Sequence, residues 1–152
     1  MKVFSENLEE LEKFQLQLKF RLASRWNCEI PEGCTTAEVN MLSATLDVEL
    51  PAIYRAFLEM CGRSAGNLFD GYNWSFRSFE SRQQRLKTEC DESNCEYFPE
   101  RLCFLDYAGD NFWCFDINTG CNPIVYRLDA WDKWNDIEVR LDGFFIKWDQ
   151  LE

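Results

Sequence analysis

"LCFLDYAGDNFWCFDI", residues 102–117, decides the fold class of this chain. Two aromatic-rich runs, Leu102 to Tyr107 and Asn111 to Ile117, flank a short Ala-Gly-Asp turn. Apolar runs of this length, rich in aromatics and closed by turn residues, read as a β-hairpin. Downstream, "NTGCN" supplies a second turn and Pro123 to Leu128 a third strand. "IEVRL", residues 137–141, alternates and reads as a short strand. "DGFFIKWDQLE" then predicts a terminal helix with Asp142 as its N-cap and Phe144, Phe145, Trp148 and Leu151 as its apolar face.

Upstream of the hairpin the periods are helical. Leu8, Leu11, Phe14, Leu18 and Leu22 recur at three to four residues, with acids leading and bases closing the segment. Pro31 and Gly33 make a turn, and Thr35 with Glu38 has the spacing of a capping box. "ELPAIYRAFLEMCG", residues 49–62, starts a helix at Pro51 and lines one face with Ile53, Tyr54, Phe57, Leu58 and Cys61. Gly62 reads as a left-handed residue that closes it. A weaker period predicts a fourth helix from Phe76 to about Cys90. Helices first, then a meander, then a helix is the order of an α+β fold, with N-terminal helices packed on the sheet and a C-terminal helix after it. Its 152 residues suffice for one domain, 1–152, whose first 27 residues are the N-terminal helix.

The ordered set Pro31, Gly33, Thr35, Glu38, Leu50, Pro51, Tyr54, Phe57, Leu58 and Gly62, followed by "FWCFDI" and "NPIVYRL", resembles the SUKH superfamily. That superfamily includes the fungal cell-wall-synthesis regulator domain and many bacterial immunity proteins. The resemblance covers residues 28–151. It departs at residue 61, often Asn in the family and Cys61 here, and it is loose over 64–101. It implies a mixed, mainly antiparallel sheet packed by helices, and a protein that works by binding. It carries over no catalytic residues.

Composition limits the chemistry. The chain has no His, so a His-paired nucleophile or a Ser-His-Asp triad is excluded. There is no G-x-G-x-x-G and no P-loop. Eight Cys fall mostly in apolar patterns, where they act as small hydrophobes. The close pairs Cys28/Cys34 and Cys90/Cys95 lack the spacing of a zinc site, so neither a metal nor a cofactor is expected. Asp106, Asp110 and Asp116 flank the hairpin and could serve glycoside hydrolysis or bind Mg²⁺ or Ca²⁺, or could be turn and strand-end carboxylates; the calcium-loop order D-x-D-x-D-G is missing. Arg82, Arg85 and Lys87 read as a solvated helix face. The N-terminal segment is polar and no run could span a membrane, so the expected compartment is cytoplasmic.

Charge separates the two parts of the chain. The net charge is −11. Residues 1–87 carry twelve acids and eleven bases, whereas residues 88–152 carry fifteen acids and five bases. Such a balance excludes nucleic acid and anionic membranes as partners and fits a basic protein, although solubility alone also explains it. Nucleases are basic because their substrate is polyanionic, and an acidic inhibitor gains association rate from steering. Together with the resemblance, this predicts a non-enzymatic immunity protein for a basic toxin, a nuclease in particular. The alternatives are a regulatory interaction module without a toxin partner and the carboxylate hydrolase. The expected interface is Asp106, Asp110, Asp129, Asp132 and Asp136, in or beside turns, with Trp131 and Trp134 among them. The two tryptophans could equally cap the core. Oligomeric state is not readable.

Overall fold

The computed structural model describes residues 2–25, 30–66 and 68–148, with backbone alone for 2–7 and 24–25. Helices α1 (Lys2–Arg25), α2 (Thr36–Leu46) and α3 (Ala52–Cys61) precede a 3-10 turn, Phe76–Ser78, that leads into α4 (Phe79–Ser93). Strands β1 (Arg101–Tyr107), β2 (Asn111–Asp116), β3 (Ile124–Leu128) and β4 (Trp134–Arg140) follow, and α5 (Leu141–Ile146) closes the order. The strands lie in sequence order and every pairing is antiparallel, so the expected α+β architecture stands with a sheet that is antiparallel rather than mixed.

The sheet is covered on both faces. Alternation along β2 sends Trp113 and Phe115 to the face packed by α1, α3 and α5, and Phe112 and Cys114 to the face packed by α4. The first face holds most of the core. Tyr54 of α3 is its hub, with ring centroids 5.7 Å from Phe79 and 4.9 Å from Phe115. Phe57 stacks on Phe145 of α5 at 4.1 Å and 4°. Burial pushes the Tyr54 phenol well up, against the opposing charge of Arg82.

The α2–α3 frame forms by the predicted signals. Thr35 Oγ1 accepts from the Glu38 N–H at 3.1 Å, and Glu38 Oε1 accepts from the Thr35 N–H at 3.0 Å. Glu38 also pairs with Arg63 just past α3, fastening the start of one helix to the end of the next.

Gly62 departs from its predicted role. Its φ is −63°, right-handed, so it is not a left-handed stop. Its value is close approach: a Cβ there would meet Cys34 Sγ at 2.6 Å and Leu58 O at 2.7 Å. A Cβ on Gly33 would meet the Glu59 carbonyl oxygen at 1.7 Å. The Pro31–Cys34 loop therefore lies directly on the last turn of α3, where the Cys34 N–H donates to Leu58 O at 2.8 Å.

Three further expectations change. Asp142 is not the cap of α5; that position is Arg140, and Asp142 sits in the first turn with its N–H donated to Asn122 Oδ1 at 3.0 Å. Leu151 lies outside the described residues. The fourth strand begins at Trp134, so Trp134 and Asp136 are strand residues rather than loop residues.

Candidate functional site

The antiparallel order decides which predicted residues meet. The β1–β2 turn and the β3–β4 loop leave the sheet at the same end, because Phe112 pairs with Leu128. Asp110 of the first and Asp129, Trp131 and Asp132 of the second therefore share one edge. Asp116 lies at the other end of β2, opposite Arg101. It is on the order of 14 Å along the hairpin from Asp106, four residues at strand rise. The two carboxylates do not face each other, which removes the basis for a hydrolytic pair.

Asp129 builds the β3–β4 loop. Its Oδ1 accepts from the Trp131 N–H at 2.9 Å and the Lys133 N–H at 3.1 Å, and its Oδ2 from the Asn135 amide at 3.0 Å. Burial raises its pKa, but the Lys133 N–H, the Asn135 amide and the Trp131 N–H outweigh that and hold it below the usual carboxylate range. Asp129 is thus a turn organiser. What the turn presents is Trp131, 83 % exposed. A tryptophan so exposed on a tethered loop is an apolar anchor that costs little further ordering on contact.

Asp132 sits at φ +59°, and its carboxylate lies close enough to Glu89 of α4 to act on that carboxyl's proton affinity. Burial first, and then the neighbouring Asp132, raise the Glu89 pKa above the ordinary value. Two like charges so near, neither in an ion pair with a cation among the described residues, leave a local excess of negative potential. Asp91, Glu92 and Glu96 stand exposed on the same helix end and the loop after it. Sequence reasoning left these acids out of the interface, although "ECDESNCE", residues 89–96, places four carboxylates in eight positions.

The other predicted residues divide. Asp110 is exposed and accepts from the Asn111 amide at 3.1 Å. Asp136 is exposed and caps the Glu138 N–H at 2.8 Å. Trp134 is half-buried: its Nε1 donates to Glu96 O at 2.8 Å, and its ring lies 5.7 Å from Phe98 and 4.9 Å from the Arg101 guanidinium. It faces the chain as much as the solvent.

Asp106 is a correction. It is fully buried, with Oδ2 on Arg85 Nη2 at 2.6 Å and Oδ1 accepting from the Asn73 amide at 2.8 Å, so it offers no charge to a partner. A register shift between Cys103 and Leu105 turns it inward. Plain alternation would put it on the face of Phe104; the bulge puts it with Cys103, toward α4. The basic cluster expected to be solvated is corrected too. Arg85 is the partner of Asp106, and Arg82 is fully buried, with Nη1 donated to Ser75 O at 2.7 Å and Ser78 Oγ at 2.8 Å. Only Lys87 of the three stands exposed.

A cavity of about 370 Å³ opens on the opposite sheet face, lined by Tyr72, Tyr107, Trp113, Arg127, Phe144 and Trp148. Arg127 fills part of it, donating to Asn111 Oδ1 at 2.8 Å and lying 5.4 Å over the Trp113 ring. The Tyr72 loop, all four strands and the α5 end meet there, so no local signal marks it. Among the described residues no group of three or more His, Cys, Asp or Glu is placed to hold a metal ion, and no helix is long and apolar enough to cross a membrane. Cys28 lies outside them.

The frame beneath this edge has a known pattern. The SMI1 / KNR4 family (SUKH-1) profile matches residues 33–146. The chain belongs to the SMI1/KNR4 (SUKH-1) family. No curated protein gave a match. The matched span of this SUKH-1 chain begins at Gly33 and runs through the whole sheet into α5. Its motif residues Gly33, Thr35, Glu38, Tyr54, Phe57 and Gly62 all serve packing, capping or close approach. Membership is consistent with an immunity-protein-like or regulatory domain, one that binds protein partners.

Proposed function

We propose that this SUKH-1 chain is a non-catalytic, cytoplasmic immunity protein of bacterial type. It acts as one domain over 1–152 and neutralises a basic toxin domain, a nuclease in particular. The observation that carries the reading is Trp131, 83 % exposed on a turn tethered by Asp129, with Asp132 in the same loop and Asp110 at the same end of the sheet. An exposed aromatic anchor inside a charged rim is the composition of a binding hot spot. The potential of fifteen acids against five bases in that part steers a cationic partner toward it and repels nucleic acid.

The interface consists of Trp131, Asp132, Asp110, Asp136 and the exposed rim of Trp134, with the α4 acids Glu89, Asp91 and Glu92 beside them. Asp129 contributes by shaping the loop, and Asp106 contributes nothing directly. The chain would cover the toxin's substrate groove, its carboxylates standing where phosphates would lie.

The test begins with the toxin domain encoded beside this gene, or captured from the native host on the immobilised protein. Affinity for that domain is then measured across a salt series. Asp132→Lys should weaken binding at least tenfold and flatten the salt dependence, and Trp131→Ala should raise the dissociation rate. Unchanged affinity in both variants removes this edge from the interface. Capture of several host proteins with no toxin among them would replace the immunity reading with that of a regulatory hub.

A further inference from the structure

The seven described cysteines are all free thiols, and four of them, Cys90, Cys95, Cys103 and Cys114, gather in or against the small apolar cluster under α4. A helix cap joins two of these. Helix α4 ends on Asn94 in the left-handed conformation, φ +56°, and the Cys95 N–H donates to Cys90 O at 3.0 Å. This is the six-to-one bond of a Schellman motif, which also sets the two flanking side chains against each other. In most helices that contact is between hydrophobes. Here both positions are cysteine, and the Cys95 thiol helps burial to raise the Cys90 thiol. A backbone bond of this kind holds the Cα atoms roughly 5–6 Å apart, inside the range a disulfide spans.

The two thiols have unequal access. Cys90 is 1 % exposed, its Sγ donates to Glu96 O at 3.7 Å, and burial pushes it up to about 12. Cys95 is half-buried and open to solvent on one side. The second thiol pair, Cys103 and Cys114, is cross-strand and fully buried, out of reach of a dissolved oxidant.

We propose that Cys90 and Cys95 form a reversible disulfide, an oxidative modification site whose oxidant is hydrogen peroxide. The Cys95 thiolate attacks one peroxide oxygen, the O–O bond breaks, and the departing hydroxide takes up a proton as water. Cys95 is then a sulfenic acid. The Cys90 sulfur displaces its hydroxyl, the S–O bond breaks, the S–S bond forms, and the hydroxyl leaves as a second water with the Cys90 proton. Two thiols lose two electrons and one peroxide becomes two waters. The second step is the slower, because the buried Cys90 is rarely a thiolate. The crosslink forms beside Glu96, whose carbonyl also anchors Trp134 at 2.8 Å, so that tryptophan reports the change by fluorescence.

The folded protein is treated with hydrogen peroxide, alkylated under denaturing conditions and digested with trypsin. The peptide Thr88–Arg101 contains Cys90 and Cys95 and no other cysteine. It should appear unalkylated and two hydrogens lighter, and should take two alkyl groups after reduction. Cys103 and Cys114 should remain alkylatable at the same peroxide dose. Cys90→Ser should stop at the sulfenic acid, trapped by dimedone on Cys95. Cys90→Ala serves the same purpose if the serine variant does not fold. A doubly alkylated wild-type peptide, a sulfinic acid on Cys95, or Cys95 joined to another cysteine would each overturn the proposal. None of these readouts involves a protein partner, so the result stands apart from the immunity reading.

Discussion

The two ends of this molecule use the same residue types for opposite purposes. Around α3, aromatics are buried against each other: Tyr54, Phe57 and Phe145 are at most 1 % exposed. Around the β3–β4 loop, Trp131 is 83 % exposed and its neighbours are carboxylates. Acids divide in the same way. Glu38 pairs with Arg63 and Asp106 with Arg85, whereas Glu89 and Asp132 lie close to each other with no ion pair to a cation among the described residues. A frame whose charges are internally satisfied needs no partner. An edge with unspent charge and an unburied ring is left for one. The family pattern lies in the frame, which explains how it can be shared while partners differ.

The comparison breaks most visibly at Gly33. Alanine there must displace the Glu59 carbonyl, a backbone atom 1.7 Å from its Cβ. The Pro31–Cys34 loop then lifts off the last turn of α3 and the Cys34–Leu58 bond is lost. We expect a cost of about 3 kcal/mol or more in urea unfolding, in the upper range for overpacking. A cost below about 1 kcal/mol would mean that the loop moves freely and is no part of the frame.

Asp106→Ala is the next largest. It strands Asn73 and takes the counter-charge from Arg85, itself 38 % exposed and able to reach water. Loss of a fully buried pair costs about 3–5 kcal/mol; the exposure of Arg85 reduces this to about 2–3 kcal/mol. Toxin affinity should not change. A loss of affinity without loss of stability would return Asp106 to the interface.

The frame was the legible half. Thr35 and Glu38 announce their capping box, Pro51 its helix start, and the aromatic alternation its hairpin, because each depends on residues close in sequence. What was not legible depends on register or on distant contacts. The inward turn of Asp106 follows from one bulged position in β1. Gly62 was assigned the right place for the wrong reason, since its neighbour Cys34 lies 28 positions away in sequence and touches it only in the fold. Arg82 is buried because Ser75 and Ser78 curl back to receive it, which helical periodicity does not reveal. The start of β4 was hidden by "DAWDKWND", whose polarity matches a loop. At the candidate edge, Trp131 and the acids were visible as residue types, but their division into presenters and turn builders was not.

Trp134 and Trp131 test that division directly. Trp134→Ala loses the Glu96 bond and the packing against Phe98 and Arg101. For a half-buried ring this should cost about 2 kcal/mol, below the full-burial range. Trp131→Ala should stay within about 0.5 kcal/mol of wild type, as surface substitutions do. Equal losses in thermal or urea unfolding would show that both rings belong to the frame.

The smallest effect is the most specific. Glu89 has a raised pKa in the folded chain, so the native state binds its proton more tightly than the unfolded state does. Its contribution is therefore fully favourable only at low pH, and stability falls as pH rises from the unfolded value through the folded one. Asp132→Asn removes the like charge while keeping a group that can donate to Glu89. The variant should be slightly more stable than wild type at about pH 7, by a few tenths of a kcal/mol, with the difference shrinking as pH falls and Glu89 takes up its proton. The same substitution should weaken the proposed toxin complex. An edge that gains stability by losing the charge its partner needs is held in tension for binding. An Asp132→Asn variant less stable at pH 7 would instead make the carboxylate pair a structural hydrogen bond and move it into the frame.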